Sequence, residues 1–227
     1  MTDFERQRLT MVESQLRPNK VTDTPLLTVM RALPRQRFVP HKLSTLAYID
    51  EAIEVFPAID GAPARFLLAP MVLARLVQLA AIQPEDRVLD IGCATGYSTA
   101  VLASLGRSVI GLEPEPKLAS AAGDRLRELG IANADIVEGP LGAGFPESAP
   151  YDVIVLNGSV PEVPESLFAQ LKDGGRLAAI LSAGTNQLGQ GKACLFVKVG
   201  SELSGVPHFD AGARPLPGFS RKKCFNF

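Results

Sequence analysis

Hydrophobic positions follow two regimes along this chain: helical spacing before about residue 80, and short continuous runs separated by helical stretches after it. Val88, Leu89 and Ile91 form a short buried run with Asp90 near its end, which predicts a strand. Gly92 and Gly96 bracket a tight turn that opens onto Ser98-Thr99-Ala100-Val101-Leu102, the start of a helix. A second strand, SVIGLE, stops at Glu113, and Leu118 to Leu129 is an amphipathic helix with Gly130 as its stop signal. Ala134 to Glu138 predicts a third strand and Tyr151 to Leu156 a fourth, leaving Asn157, Gly158 and Ser159 just past its carboxyl end. Pro164 to Leu171 reads as a helix, Asp173-Gly174-Gly175 as a turn, and Arg176 to Leu181 and Cys194 to Val199 as the last two strands, with a polar loop between them. Strand and helix alternation of this kind predicts an α/β fold, a Rossmann-like doubly wound, mainly parallel sheet with helices on both faces.

Upstream, Phe4, Leu9, Val12 and Leu16 predict a helix over 3–17 that Pro18 ends. A second helix has Thr24-Pro25 at its start and is closed by Pro34. These segments are expected to form a helical cap over the carboxyl edge of the sheet, where α/β folds bind ligands. Residues 48–70, punctuated by Pro57, Gly61, Pro63 and Pro70, read as an irregular loop. The organisation expected is a cap and substrate loop over 1–70 packed as one unit with an α/β domain over 71–227.

Chemistry enters at the glycine turn, because glycine lets a ligand approach the backbone while the first amides of the helix point outward. Glu113 follows Gly92 by about 21 residues, close to the interval at which a carboxylate accepts hydrogen bonds from a ribose. A dinucleotide pattern GxGxxG begun at Gly92 would need glycines where Ala94 and Tyr97 stand, so pyrophosphate binding is disfavoured. A purely structural strand-turn-helix is the alternative reading.

The balance of 24 acids against 23 bases, with one basic cluster at Arg221-Lys222-Lys223, gives no reason to expect a nucleic-acid partner. The N-terminal stretch is charged throughout and no apolar run is long enough to span a bilayer, so a cytoplasmic location and no membrane partner are expected. Three dispersed cysteines, Cys93, Cys194 and Cys224, lack metal-ligand spacing and read as reduced thiols.

The acid followed by I-G-x-x-x-G resembles motif I of the class I S-adenosylmethionine-dependent methyltransferases. The order of motifs resembles, more narrowly, the protein-L-isoaspartate O-methyltransferases. Pro34, Arg35, Phe38, Val39 and Pro40 are similar to that family's proline-arginine-x-x-phenylalanine-valine-proline, VLDIGCATGY to its cofactor turn, YDVIVLNGSVPEVP to its later strand and helix entry, and LKDGGRL to its late glycine turn. The resemblance implies S-adenosyl-L-methionine as cofactor, held by Asp90, Gly92, Cys93, Ala94, Gly96, Tyr97, Glu113, Gly139 and Pro140. It also implies a protein or peptide substrate bearing an altered aspartyl residue. Departures cluster at the substrate side: the family's serine and threonine positions are Leu68 and Phe66, and its glycine-aspartate-glycine is Gly139-Pro140-Leu141.

A carboxylate acceptor is ionised at neutral pH, so the demand on the protein is alignment rather than a general base. Arg65, Asn157 and Ser159 are the candidate catalytic residues, Arg65 to hold the carboxylate and the other two at the sheet edge. Their plainer readings are a solvated loop charge, a turn former and a helix cap. Two further functions remain open: methylation of a small apolar acceptor against Phe66, Leu67 and Leu68, and a cofactor-binding module whose catalysis has decayed.

Overall fold

The computed structural model describes residues 2–59, 61–182 and 190–219. Cys224, the basic cluster at 221–223 and most of the polar loop before the last strands lie outside the described residues. Thr2 opens α1 (Asp3–Met11) with a capping box, its side chain accepting from the Glu5 amide while Glu5 accepts from the Thr2 amide. The helix continues as a π-helical turn, Val12–Leu16, and a short 3₁₀ turn, Arg17–Asn19, that carries Pro18. Asp23, one residue earlier than expected, caps α2 (Thr24–Ala32), and its carboxylate takes the Leu26 amide at 2.8 Å.

The proline-punctuated stretch is not wholly irregular. It holds an antiparallel pair, β1 (Ile53–Phe56) and β2 (Arg65–Leu67), which places Leu67 and Arg65 on its buried side. Both strands are too short to show a clear period of two, so their pairing is invisible locally. Pro70 then starts α3 (Pro70–Ala80), and Ala81 ends it in the left-handed conformation.

The central sheet follows: β3 (Arg87–Ile91), α4 (Tyr97–Ala103), β4 (Ser108–Glu113), α5 (Pro116–Glu128), β5 (Ala134–Glu138), β6 (Tyr151–Val160), α6 (Glu165–Ala169), β7 (Leu171–Leu181), β8 (Gln190–Val199) and β9 (Glu202–Gly212). Strand order is β5-β4-β3-β6-β7-β8-β9; the first five run parallel, and β8 and β9 are added antiparallel. The order reverses at β3, so the crevice between β3 and β6 at their carboxyl ends is the switch point where such sheets bind ligands. β6 runs past the expected end at Leu156: after an irregularity, Ser159 and Val160 pair with Ile180 and Leu181. β9 is mostly exposed and has no apolar alternation to announce it.

The two faces are covered unequally. Val88, Val109, Val153, Val155 and Ile180 pack in one cluster with α3, α4, α5 and the N-terminal helices. Leu89, Ile91, Leu112, Ile154 and Leu156 lie in the other, with Leu141, with Leu167 of the five-residue α6, and with Leu216 from the segment after β9. A chain segment thus does much of the covering that a helix does elsewhere in doubly wound sheets. Among the described residues no helix is long and apolar enough to cross a membrane.

Candidate functional site

The turn after β3 is shaped by three residues at positive φ: Gly92 at 76°, Ala94 at 50° and Gly96 at 91°. Glycine adopts these values freely; Ala94 does so against a steric cost and is held by its amide, which donates to Glu113 Oε2 at 2.8 Å. Gly96 also lies against α5, where an added Cβ would sit 3.1 Å from the Ala122 Cβ.

Asp90 is fully buried. One of its oxygens accepts from the Ser98 and Thr99 hydroxyls at 2.8 and 2.6 Å and the other from the Asn157 amide. Both oxygens are therefore bonded inside the fold, and Asp90, expected in the cofactor site, braces the turn by joining α4 to β6. Burial, outweighing those three donors, pushes its pKa up to about 6. The folded carboxyl binds its proton more tightly than an unfolded aspartate near about 3.9, so stability falls as pH rises from about 4 to about 6 and is level above. We expect Asp90→Asn to gain on the wild type by up to about 3 kcal/mol between pH 4 and 7. Urea unfolding of both proteins across that range measures it, and a stability difference independent of pH would contradict it.

Glu113, also fully buried, meets Arg65. The guanidinium donates through Nε to Oε1 at 3.0 Å and through Nη2 to Oε2 at 2.9 Å. Arg65 is 4% exposed, so the reading of a solvated loop charge is wrong; it holds a carboxylate, and that carboxylate is the chain's own. The pairing joins β2 to the end of β4 and surrounds both oxygens with donors.

Asn157 donates to Asp90 and to the Ile91 carbonyl, its buried Oδ1 has no partner, and the residue lines a small cavity with Arg35, Phe66, Leu68, Gly92, Cys93 and Tyr97. Ser159 departs from expectation: it lies inside β6, and its hydroxyl donates to the Ala213 carbonyl at 3.0 Å. Its backbone takes the same neighbour, with Ser159 N–H donating to Arg214 O and Leu216 N–H donating to Ser159 O. Ser159 therefore anchors the segment after β9.

Cys93 is buried beside Asp90 and Glu113, and burial with those carboxylates pushes its pKa well above the ordinary range, so it stays a thiol. The Tyr97 ring is covered by the Arg35 guanidinium, 4.7 Å from its centroid, and by Phe38 edge-on at 5.4 Å, and burial pushes the phenol up to about 12. Thr95 donates to the Phe38 carbonyl at 2.6 Å, which binds the 35–39 segment of the cap to the turn. Gly139 donates its amide to the Glu113 carbonyl, and Pro140 lines an outer groove of about 740 Å³ with Pro114, Leu141, Phe168, Pro217 and Phe219.

The residue types suit an adenosyl sulfonium, a glycine turn with an acid at the end of the next strand, although the Gly92 and Cys93 amides donate to Leu112 O, that of Ala94 to Glu113 and that of Gly96 to Cys93 O. The space between them is filled. The inner cavity is about 10 Å³, room for one water. A Cβ on Gly92 would stand 2.7 Å from Leu216 Cδ2 and 3.1 Å from Arg65 Nη2. Leu216 had no signal in the sequence, being one apolar residue in a proline-rich stretch. Among the described residues no cluster of histidine, cysteine or acids could hold a metal ion.

A model of the protein-L-isoaspartate(D-aspartate) O-methyltransferase family matches residues 6–194. The protein-L-isoaspartate O-methyltransferase of Herpetosiphon aurantiacus is 36% identical over 184 residues, 81% of this chain and 80% of its own. That of Rhodopseudomonas palustris is 38% identical over 180 residues, 79% of each. A solved protein-L-isoaspartate O-methyltransferase superposes over 95% of this chain with a TM-score of 0.78 at 27% identity, and this chain spans 66% of that longer one. A Plasmodium falciparum protein of the same description, solved with S-adenosyl-L-homocysteine, covers 96% of this chain at a TM-score of 0.72 and 18% identity, a likeness of fold. Because the family match runs from the N-terminal helix through the glycine turn into β8, this chain belongs to the protein-L-isoaspartate(D-aspartate) O-methyltransferase family.

Proposed function

We propose that this chain is an S-adenosylmethionine-dependent methyltransferase that esterifies the carboxylate of altered aspartyl residues in proteins. The observation that carries this reading is the family match across residues 6–194, which takes in both the cap and the turn. Bound S-adenosylmethionine supplies an electrophilic methyl group. Glu113 and the turn from Gly92 to Tyr97, which Asp90 braces, are the groups that would hold it, with Gly139 and Pro140 beside them.

The acceptor is an anion already, so the chain has to orient it and exclude water. Arg65 supports that role. While paired with Glu113 its Nη2 lies 3.1 Å from where a Gly92 side chain would begin, which puts beside the turn a guanidinium whose fork suits bidentate contact with a carboxylate. Asn157, whose buried Oδ1 is unpartnered and which lines the inner cavity with Gly92, is the second positioning group. Leu68 in place of a hydroxyl leaves the acceptor fewer donors.

Labelled S-adenosylmethionine and an isoaspartyl peptide test the proposal. Base-labile radioactive ester on the peptide is expected, and its absence at high enzyme concentration would end the reading for this substrate. A small apolar acceptor has less support, because Leu67 and Leu68 are buried in the core and the Phe66 ring lies beneath Arg214, at 5.1 Å.

A further inference from the structure

The inner cleft is closed by two parts of the chain that approach from opposite sides. Leu216 sits in a niche made by two missing side chains: Gly92 at the end of β3, and Gly158 in β6, where a Cβ would meet Leu216 Cγ at 2.7 Å and Arg214 O at 2.8 Å. Three hydrogen bonds seat the leucine, all on Ser159: the hydroxyl to Ala213 O at 3.0 Å, the amide to Arg214 O at 3.0 Å, and the carbonyl from Leu216 N–H at 2.9 Å. Leu216 is 5% exposed and belongs to the apolar cluster of its sheet face. Arg65 closes the other wall by saturating Glu113.

We propose that residues 213–216, together with Arg65, form a built-in stopper of the cofactor cleft, and that S-adenosylmethionine binds only by displacing Leu216 from between Gly92 and Gly158 and Arg65 from Glu113. This rests on the methyltransferase reading above. The chain's own groups stand where the ligand would: a guanidinium on the Glu113 carboxylate that would accept from ribose hydroxyls, and an apolar side chain on the bare turn. Displacing both lowers apparent affinity by the fraction of molecules in the open state. The same displacement frees the Arg65 guanidinium beside the turn, so cofactor binding prepares the acceptor site.

Calorimetry with S-adenosyl-L-homocysteine on the full chain and on Leu216→Ala tests this, alongside amide hydrogen exchange of the wild type with and without the ligand. The variant is expected to bind at least tenfold more tightly. In the wild type the Leu216 amide, which donates to Ser159 O, is expected to lose protection when ligand binds. Wild-type binding with the Leu216 amide still protected, or a variant within twofold of wild type, overturns the stopper and leaves the methyltransferase reading intact. Absence of binding by both proteins removes the two together. The exchange experiment needs no variant, so a Leu216→Ala protein that fails to fold does not rescue the idea.

Discussion

Glu113→Ala is expected to destabilise the protein by about 3–5 kcal/mol, the cost of leaving one partner of a buried ion pair alone. In this variant the Arg65 guanidinium stays enclosed with nothing to neutralise it, and a guanidinium, unlike a carboxylate, has no neutral form to fall back on. The Ala94 amide also loses its acceptor at a residue already held at positive φ. Removing both charges as Arg65→Met with Glu113→Leu is expected to recover most of the loss, since apolar side chains of similar size often replace a buried pair at little cost. Arg65→Met alone should fall between the two, because the remaining carboxylate keeps the Ala94 amide as a donor. Urea unfolding of the three variants gives the coupling directly. A loss below about 1 kcal/mol for Glu113→Ala, the range of exposed ion pairs, would mean that the pair is open to water in solution.

Arg35→Ala should cost about as much, for a different reason. Arg35 is completely buried; Nε donates to the Ala47 carbonyl at 2.8 Å and Nη2 to the Leu68 carbonyl at 2.7 Å, while the guanidinium face covers Tyr97. Burial lowers its pKa, with the neighbouring tyrosines opposing the shift. Truncation strands two buried carbonyls at about 1–3 kcal/mol each and opens a cavity beneath the first turn of α4. We expect a total of about 3–5 kcal/mol, seen as a melting temperature lower by about 10 °C in a chain of this size. Arg35→Lys keeps the charge with a single point of contact, so it should restore only part of the loss. A shift of less than about 2 °C for Arg35→Ala would show that water reaches these carbonyls and that the cap is loosely attached.

Both residues were visible in the sequence, and neither role was. Arg35 stands in a proline-arginine-phenylalanine motif that marks the family, yet nothing local says that its fork joins Ala47 to Leu68 over Tyr97. Arg65 and Glu113 are 48 residues apart, one on a three-residue strand and one at the end of a parallel strand, so their bidentate contact has no periodic signal. Leu216 lies farther still from Gly92. The β1–β2 pair and β9 went unread for related reasons: short strands and exposed edges lack the alternation or continuous apolar run from which strands are inferred.

Local chemistry accounts for what was legible. Continuous apolar runs such as that of β3 and β6 arise because parallel strands are buried on both faces, and glycines at Gly92 and Gly96 are required by the positive φ of the turn. The order of strands and helices, the turn and the acid that follows it are thus determined by residues near one another in the chain. Whether the crevice they frame is open was decided only by tertiary structure, where a leucine and an arginine from distant segments converge on the bare backbone of Gly92. Contacts of that kind depend on shape and complementarity across the folded chain, which no window of sequence contains.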